Sequence, residues 1–469
     1  MPSEAPDRGA SGPAITSALT DHLDPRAADP RAADPRQGGD SGGPRRASPR
    51  DPGVNDVLWQ GLLRVLRPLI RSPWWLRIGV IYLFSRLVSL LIFVAAARQQ
   101  GPNPWVGTAP GYLDFIGIWD SEWYRRIFAD GYPDVLPRQD NGTVQENAWA
   151  FYPLFPLLIR GLAALTGGEW LILAPLVATI AGLAASLMIY RLFRLYASTV
   201  TATWGTAFVL FFPISPILQV PYAESLNLAF LAAALYAVCR HRYFLAVPLV
   251  LLSDLSRPIG SAFAFFVLLH LLSRLFVHEE AGTRPQLRRR IAAGWQQITV
   301  RQRWGALCLG FTALVGALAW PVIAWLVTGE STAYTQTETA WRGGPLILFE
   351  SWFSTATMLF GPLLAPLAVL GLVVGFLLYL NSAAVRRIGL DLRLWCLSYA
   401  LYLFAVLHPQ TSTFRLLLPL FPLALAAAFI SRSRAYRGAV LVFFVLLQIV
   451  WVVWLWAWEP LPGGGDYPP

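Results

Sequence analysis

Long apolar runs, separated by short clusters of arginine, govern what this chain can fold into. A helix needs roughly 20 apolar residues to cross a bilayer. Stretches near that length fall at 76–97, 170–193, 202–219, 222–239, 243–255, 257–276, 304–327, 357–380, 391–407, 414–430 and 438–457, the 243–255 run being the shortest. The expectation is an all-α polytopic membrane protein with about eleven transmembrane helices. Composition points the same way: 55% of residues are hydrophobic and 14% charged, and mean hydropathy is +0.49. Soluble proteins carry about a quarter charged residues, so a soluble multidomain enzyme is excluded. A disulfide scaffold is excluded too, because Cys239, Cys308 and Cys396 lie in three separate apolar stretches and read as buried small hydrophobes.

The net charge of +10 would ordinarily raise a nucleic-acid partner. Here the basic residues sit between apolar runs, where a membrane protein places them, so the expected partner is the bilayer and not nucleic acid. All 37 basic residues are arginine, a bias that points to a GC-rich, bacterial genome.

Four segments follow from this reading. Residues 1–54 are rich in Pro, Ala, Gly, Asp and Arg and bury too little apolar area to fold, which predicts a disordered cytoplasmic tail. Residues 55–72 set Trp59, Leu62, Leu63 and Leu66 against Arg64, Arg67 and Arg71, the pattern of a helix lying in the headgroup region. Residues 73–458 form the membrane body, and 459–469 a short extracytoplasmic end.

Arginine also sets the orientation. Arg64, Arg67 and Arg71 precede the first span, so the N-terminus is placed inside. The same count of crossings puts inside Arg191/Arg194, Arg240/Arg242, the group from Arg284 through Arg303, Arg386/Arg387/Arg393 and Arg432/Arg434/Arg437. Outside then fall the large 98–169 loop, Pro221 to Glu224, Asp254 to Arg257, the 328–356 loop and His408 to Arg415. The acidic and histidine residues of interest collect on that one face.

In the first of these loops, Phe115, Ile116, Trp119, Trp123 and Ile127 share a helical face, as in an interfacial helix. Asp120 projects at the edge of that stripe with Tyr124 one turn on, while Glu122 and Arg125 point to water. A carboxylate at the lipid–water boundary can take a proton from an acceptor hydroxyl, and partial desolvation strengthens a base. The alternative is that Asp120 pairs with Arg125 or caps a helix. Asn147 to Arg160 is apolar but carries Pro153 and Pro156, and is read as a re-entrant or interfacial segment; a kinked span is the alternative. Arg415 can clamp a lipid phosphate or snorkel to the interface; His408 can bind the same phosphate or a sugar hydroxyl. Glu224 and Arg257 are either a structural pair or ligand contacts. Arg86, inside the first span, is expected to snorkel toward the inner headgroups.

The segments Trp119-Asp120-Ser121-Glu122-Trp123-Tyr124, Gly131-Tyr132-Pro133, Ala150 to Leu157, Pro221 to Leu226 and Ser256 to Gly260 together resemble the PIG-V-type membrane mannosyltransferases, within the GT-C glycosyltransferases. The resemblance spans about residues 76–457 and leaves out the tail. It implies a GT-C-like bundle with a large first extracytoplasmic loop, and inverting transfer of mannose from polyprenyl-phosphate-mannose to a lipid-linked or exported glycan acceptor. Asp120 matches the family's catalytic base. Arg415, with His408 or Arg257, would meet the donor phosphate, and Trp119, Trp123, Tyr124, Tyr152 and Glu224 would bind substrate. No cofactor or metal is called for, though a divalent ion is not excluded. Transfer of arabinose or glucose, glycolipid transport and an inactive scaffold are the alternatives.

Overall fold

The computed structural model describes residues 72–275, 298–460 and 469. The predicted tail, nearly all of the 55–72 amphipathic stretch and part of the Arg284 to Arg303 group lie outside the described residues. The secondary-structure elements among those described are helices, with one isolated bridge between Arg138 and Val144.

Helix α1 (Trp74–Ala97) leads to a long connection holding α2 (Tyr112–Ile116), α3 (Asp120–Asp130), a 3-10 turn (Ala148–Ala150) and α4 (Leu154–Thr166). The bundle continues with α5 (Trp170–Phe193), α6 (Thr199–Leu210), α7 (Glu224–Cys239), α8 (Tyr243–Asp254) and α9 (Gly260–Leu275). After the undescribed stretch come α10 (Val300–Thr328), α11 (Ala333–Arg342), α12 (Glu350–Leu380) and α13 (Ala383–Arg386). The chain closes with α14 (Leu390–Val406), α15 (Thr413–Leu416), α16 (Pro422–Ile430) and α17 (Arg434–Trp451), which runs into a wider turn at Val452–Trp456.

Among the described residues five helices are long and apolar enough to cross a membrane: α1, α5, α10, α12 and α17 with its terminal turn. A sixth arises if Thr413–Leu420, which is α15 with the 3-10 turn after it, and α16, bent by 74° across a short break, count as one span. The described residues therefore do not confirm the expected count of about eleven. An apolar run shows composition, not where the backbone turns. The run at 202–219 contains Pro213 and Pro216, so α6 stops at Leu210 and the chain turns through a 3-10 segment at Ser215–Gln219. The 222–239, 243–255 and 257–276 runs give helices of 16, 12 and 16 residues. In the 147–160 stretch the two prolines do not break a helix but begin one: Pro153 precedes α4 and Pro156 lies in its first turn, where the missing N–H costs nothing.

Lipid-suited surface is plain on α12, where Leu363, Leu367 and Leu370 are exposed, and on α10, where Phe311, Leu318 and Leu326 are. Cys308 also faces outward on α10, against expectation; Cys396 is buried and Cys239 partly so. A helix with apolar residues all round has no sequence stripe to say which side meets its neighbours. Helix α12 is broken at Gly361, whose φ of +77° suits glycine, immediately before Pro362.

The core is a relay of paired helices: α5 packs on α7, α7 on α8, α8 on α10, α10 on α9, and α9 on α14. Helix α1 lies against α5 and α6. Gly182 allows the first of these approaches, since a Cβ there would meet the Tyr82 hydroxyl at 2.5 Å. That hydroxyl donates to the Thr179 carbonyl at 2.6 Å. At another junction His270 joins three helices, 2.8 Å from both the Tyr243 hydroxyl and Asp391 Oδ1.

Arg86 does not snorkel. It is buried and donates to the carbonyls of Ser215 and of Leu210, the latter at 3.0 Å, and to Ser215 Oγ at 3.3 Å. The broken stretch after α6 leaves carbonyls without helical partners, and Arg86 satisfies them from α1. Gln448 on α17 adds a donor to the Phe211 carbonyl at 2.8 Å.

Candidate functional site

The five segments that arginine counting groups on one side of the membrane all contribute to one cavity of about 660 Å³. They supply Asp120, Glu224, Arg257, Arg342, His408 and Arg415 to its lining.

Asp120 opens α3, so its carboxylate lies in the first helical turn, where the positive end of the helix dipole favours an anion. Trp119, immediately before it, has φ +61° and ψ −132°. Such a conformation costs a bulky residue about 1–3 kcal/mol and persists only where the surroundings fix it. They do so here: Trp119 Nε1 donates to the Trp456 carbonyl at 2.7 Å, and Trp456 Nε1 donates to the Phe115 carbonyl at 2.9 Å. Trp105 packs on the Trp119 ring at 4.8 Å. The strain is held by the C-terminal turn of the chain, and its result is the direction in which Asp120 points.

Asp120 is 8% exposed and forms an ion pair with Arg415 through Oδ2 and Nη1. The same Nη1 is 3.9 Å from Glu224 Oε1, and Glu224 pairs with Arg257. Two acids and two arginines thus form one chain of contacts at the cavity wall. Tyr222 underlies it. Its hydroxyl accepts from the Asp120 backbone N–H at 3.0 Å, and its ring lies 5.5 Å from the Arg415 guanidinium carbon. The cluster is not saturated: Arg415 Nε and Glu224 Oε2 are buried without hydrogen-bond partners. Unmade bonds of that kind are costly in a closed interior, and a ligand in the cavity is a natural source of partners.

The alternative pairing of Asp120 with Arg125 does not occur. Arg125 and Arg126 both contact Glu122, at 2.7 and 3.3 Å, on the far side of α3. Tyr124 also lines the cavity, and burial raises the affinity of its hydroxyl for the proton, with Arg257 and Arg415 opposing and Asp120 adding to the effect. Its hydroxyl therefore holds its proton more firmly than that of a free tyrosine.

Of the residues singled out from sequence, Asp120, Tyr124, Tyr152, Glu224, Arg257, His408 and Arg415 are brought together on the cavity. Trp119 and Trp123 are not part of its lining. Trp119 is a buried support for the turn before Asp120, and Trp123 stacks on Phe151 at 5.9 Å and packs edge-on against Trp341 at 5.3 Å. Sequence reasoning did not single out Tyr222, Glu338, Arg342 or Tyr402. Tyr222 adjoins Glu224 in the Pro221 to Leu226 segment, and Glu338 and Arg342 lie in the 328–356 loop, which lines the same cavity. For Tyr402, inside an apolar helix, no sequence signal distinguished it from core.

The rest of the lining includes an apolar flank of Leu346, Val406, Leu407 and Leu416. A cavity with a charged cluster and an aliphatic side suits an amphiphile with an anionic head. Among the described residues no group of three His, Cys, Asp or Glu is placed to hold a metal ion.

No protein-family model and no curated protein matches this chain. Solved structures are similar to it only loosely. ArnT from Cupriavidus metallidurans bound to undecaprenyl phosphate shares 15% identity at a TM-score of 0.44, over 77% of this chain and 62% of that one. The archaeal oligosaccharyltransferase AglB from Archaeoglobus fulgidus, in complex with an inhibitory peptide and a dolichol-phosphate, shares 16% identity at 0.39, over 79% and 55%. The chain thus spans roughly three fifths or less of the solved chains it matches. Likeness at this level leaves the functional reading to the geometry of the chain itself.

Proposed function

We propose that this protein is an inverting GT-C-type glycosyltransferase that moves one sugar from a polyprenyl phosphate carrier to a glycan or glycolipid acceptor. The observation that carries the reading is the Asp120–Arg415 pair on the wall of a cavity with an aliphatic flank. A base and an anion-binding group share one cavity wall, and a displacement with inversion needs them on opposite faces of the anomeric carbon, which requires the donor phosphate to draw Arg415 away from Asp120.

In the reaction, the donor phosphate takes up Arg415, which a guanidinium can do through two parallel hydrogen bonds. Asp120 then loses its partner and faces the acceptor. Its carboxylate removes the hydroxyl proton as the acceptor oxygen bonds to the anomeric carbon, and the carbon–oxygen bond to the phosphate breaks. The polyprenyl phosphate departs with the bonding electrons, and Arg415 and Arg257 meet its charge. Attack from the face opposite the leaving group inverts the configuration.

The finer reading follows the PIG-V-like segments: mannose is the sugar, the site is extracytoplasmic, the N-terminus is cytoplasmic, and the membrane is a bacterial plasma membrane. The test is transfer of radiolabelled mannose from polyprenyl-phosphate-mannose by purified protein in nanodiscs, with envelope glycolipids as acceptors. Label should appear in a glycolipid product with inverted linkage. Transfer from the arabinose or glucose carrier in its place would replace mannose; transfer from no carrier, with the protein folded, would end the proposal.

A further inference from the structure

The chemistry above uses part of the cavity. Another part of its lining comes from α11, through Thr335, Glu338, Thr339 and Arg342, which helical spacing puts on one face. That helix is fixed from behind. Asn147 Nδ2 donates to the Thr337 hydroxyl at 3.0 Å, and Trp341 Nε1 donates to the Asn147 carbonyl at 3.3 Å. Arg342 Nη2 donates to the Val406 carbonyl at 3.2 Å, while its Nη1 is buried without a partner. Burial raises the affinity of the Glu338 carboxyl for its proton, with the Tyr334 hydroxyl and Arg342 pulling the other way. Tyr152, whose hydroxyl lies 3.4 Å from that of Tyr334, extends the wall with an aromatic surface.

This face mixes a carboxyl, a guanidinium and two hydroxyls. A second phosphate here would gain Arg342 and meet Glu338. A neutral polyol would satisfy both, giving a hydroxyl proton to Glu338 and an oxygen to Arg342, with aromatic faces for its C–H surfaces. We infer that the α11 face is the acceptor subsite, and that the group it holds is an uncharged sugar or cyclitol headgroup. The inference rests on the transferase reading for the word acceptor; the polyol specificity rests on the wall alone.

The test uses the full-length protein in nanodiscs and tritiated n-octyl α-mannoside as a neutral polyol probe, with n-octyl phosphate as the anionic control. The mannoside should bind saturably and should not be displaced by octyl phosphate. Glu338→Gln and Arg342→Gln should each weaken it about ten-fold, the scale of one hydrogen bond to a charged group. Thr339→Val, which keeps both charges, should weaken it about three-fold. Retained binding of undecaprenyl phosphate by the same variants shows that they are folded. Absence of saturable mannoside binding, displacement by octyl phosphate, or wild-type mannoside affinity in both charge variants would overturn the inference. So would loss of undecaprenyl phosphate binding in the same measure, which would assign the wall to the donor. Failure of the transferase reading looks different: both ligands bind and no mannose moves.

Discussion

Arg86 and Arg415 are the same residue in the same kind of sequence, an arginine within or beside an apolar run, and the structure treats them in opposite ways. Arg86 spends its donors on the chain, on the carbonyls of Leu210 and Ser215 and the hydroxyl of Ser215. These acceptors are backbone carbonyls and a hydroxyl, with no carboxylate among them; Arg86 mends the place where Pro213 and Pro216 interrupt a helix. Arg415 meets two acids, lines a cavity and keeps Nε without a partner. A buried cation whose donors the chain consumes is structural. One left partly unspent beside a cavity is available to a ligand. The two tyrosines nearby divide likewise: Tyr82 stacks beneath Arg86 and donates to a backbone carbonyl, while Tyr222 supports Arg415 and accepts from the Asp120 backbone.

The contrast can be broken by substitution. The largest effect is expected for Asp120→Asn, which removes the proposed base but keeps the shape: transfer should fall about 10²- to 10⁴-fold, while undecaprenyl phosphate still binds in an equilibrium assay. Near-normal turnover would dismiss Asp120. Next comes Arg86→Met, which leaves buried carbonyls unsatisfied and should cost about 3 kcal/mol of stability. It would be read as a lowered melting temperature in detergent, with donor affinity of the folded fraction unchanged; a donor-binding defect at full stability would erase the distinction between the two arginines. Arg415→Gln should instead weaken undecaprenyl phosphate binding about ten- to a hundred-fold, in the equilibrium assay used for Asp120→Asn. Melting should fall less than for Arg86→Met, because the Asp120 carboxylate it frees faces a cavity. The smallest effect belongs to Glu122→Gln, which breaks a solvent-facing ion cluster on α3 and should change stability by about 0.5 kcal/mol or less. A large loss of transfer there would mean that the outer side of α3 also meets substrate.

Much of the site could be read in advance because charge is expensive in an apolar chain. Asp120, Glu224, Arg257 and Arg415 stand out for that reason alone, and one orientation gathers the loops that carry them. Glu338 and Arg342 were not legible as site residues because a polar loop is full of charges, and only the docking of α11 selects which of them turn inward. Trp119 misled for a related reason. An aromatic residue beside a catalytic candidate suggests contact with substrate, whereas its strained backbone and its bond to the Trp456 carbonyl make it a support.

Composition and the period of apolar runs by themselves determined a helical membrane body and the identity of the charged residues that could do chemistry, because the cost of placing polar groups in hydrocarbon acts on each segment alone. Which runs break, which arginine serves the backbone and which faces a cavity depend on contacts between residues as far apart as Trp119 and Trp456, or Asp120 and Arg415. Those contacts exist only when the helices are packed, since a hydrogen-bond donor is spent or spare according to what stands within its reach.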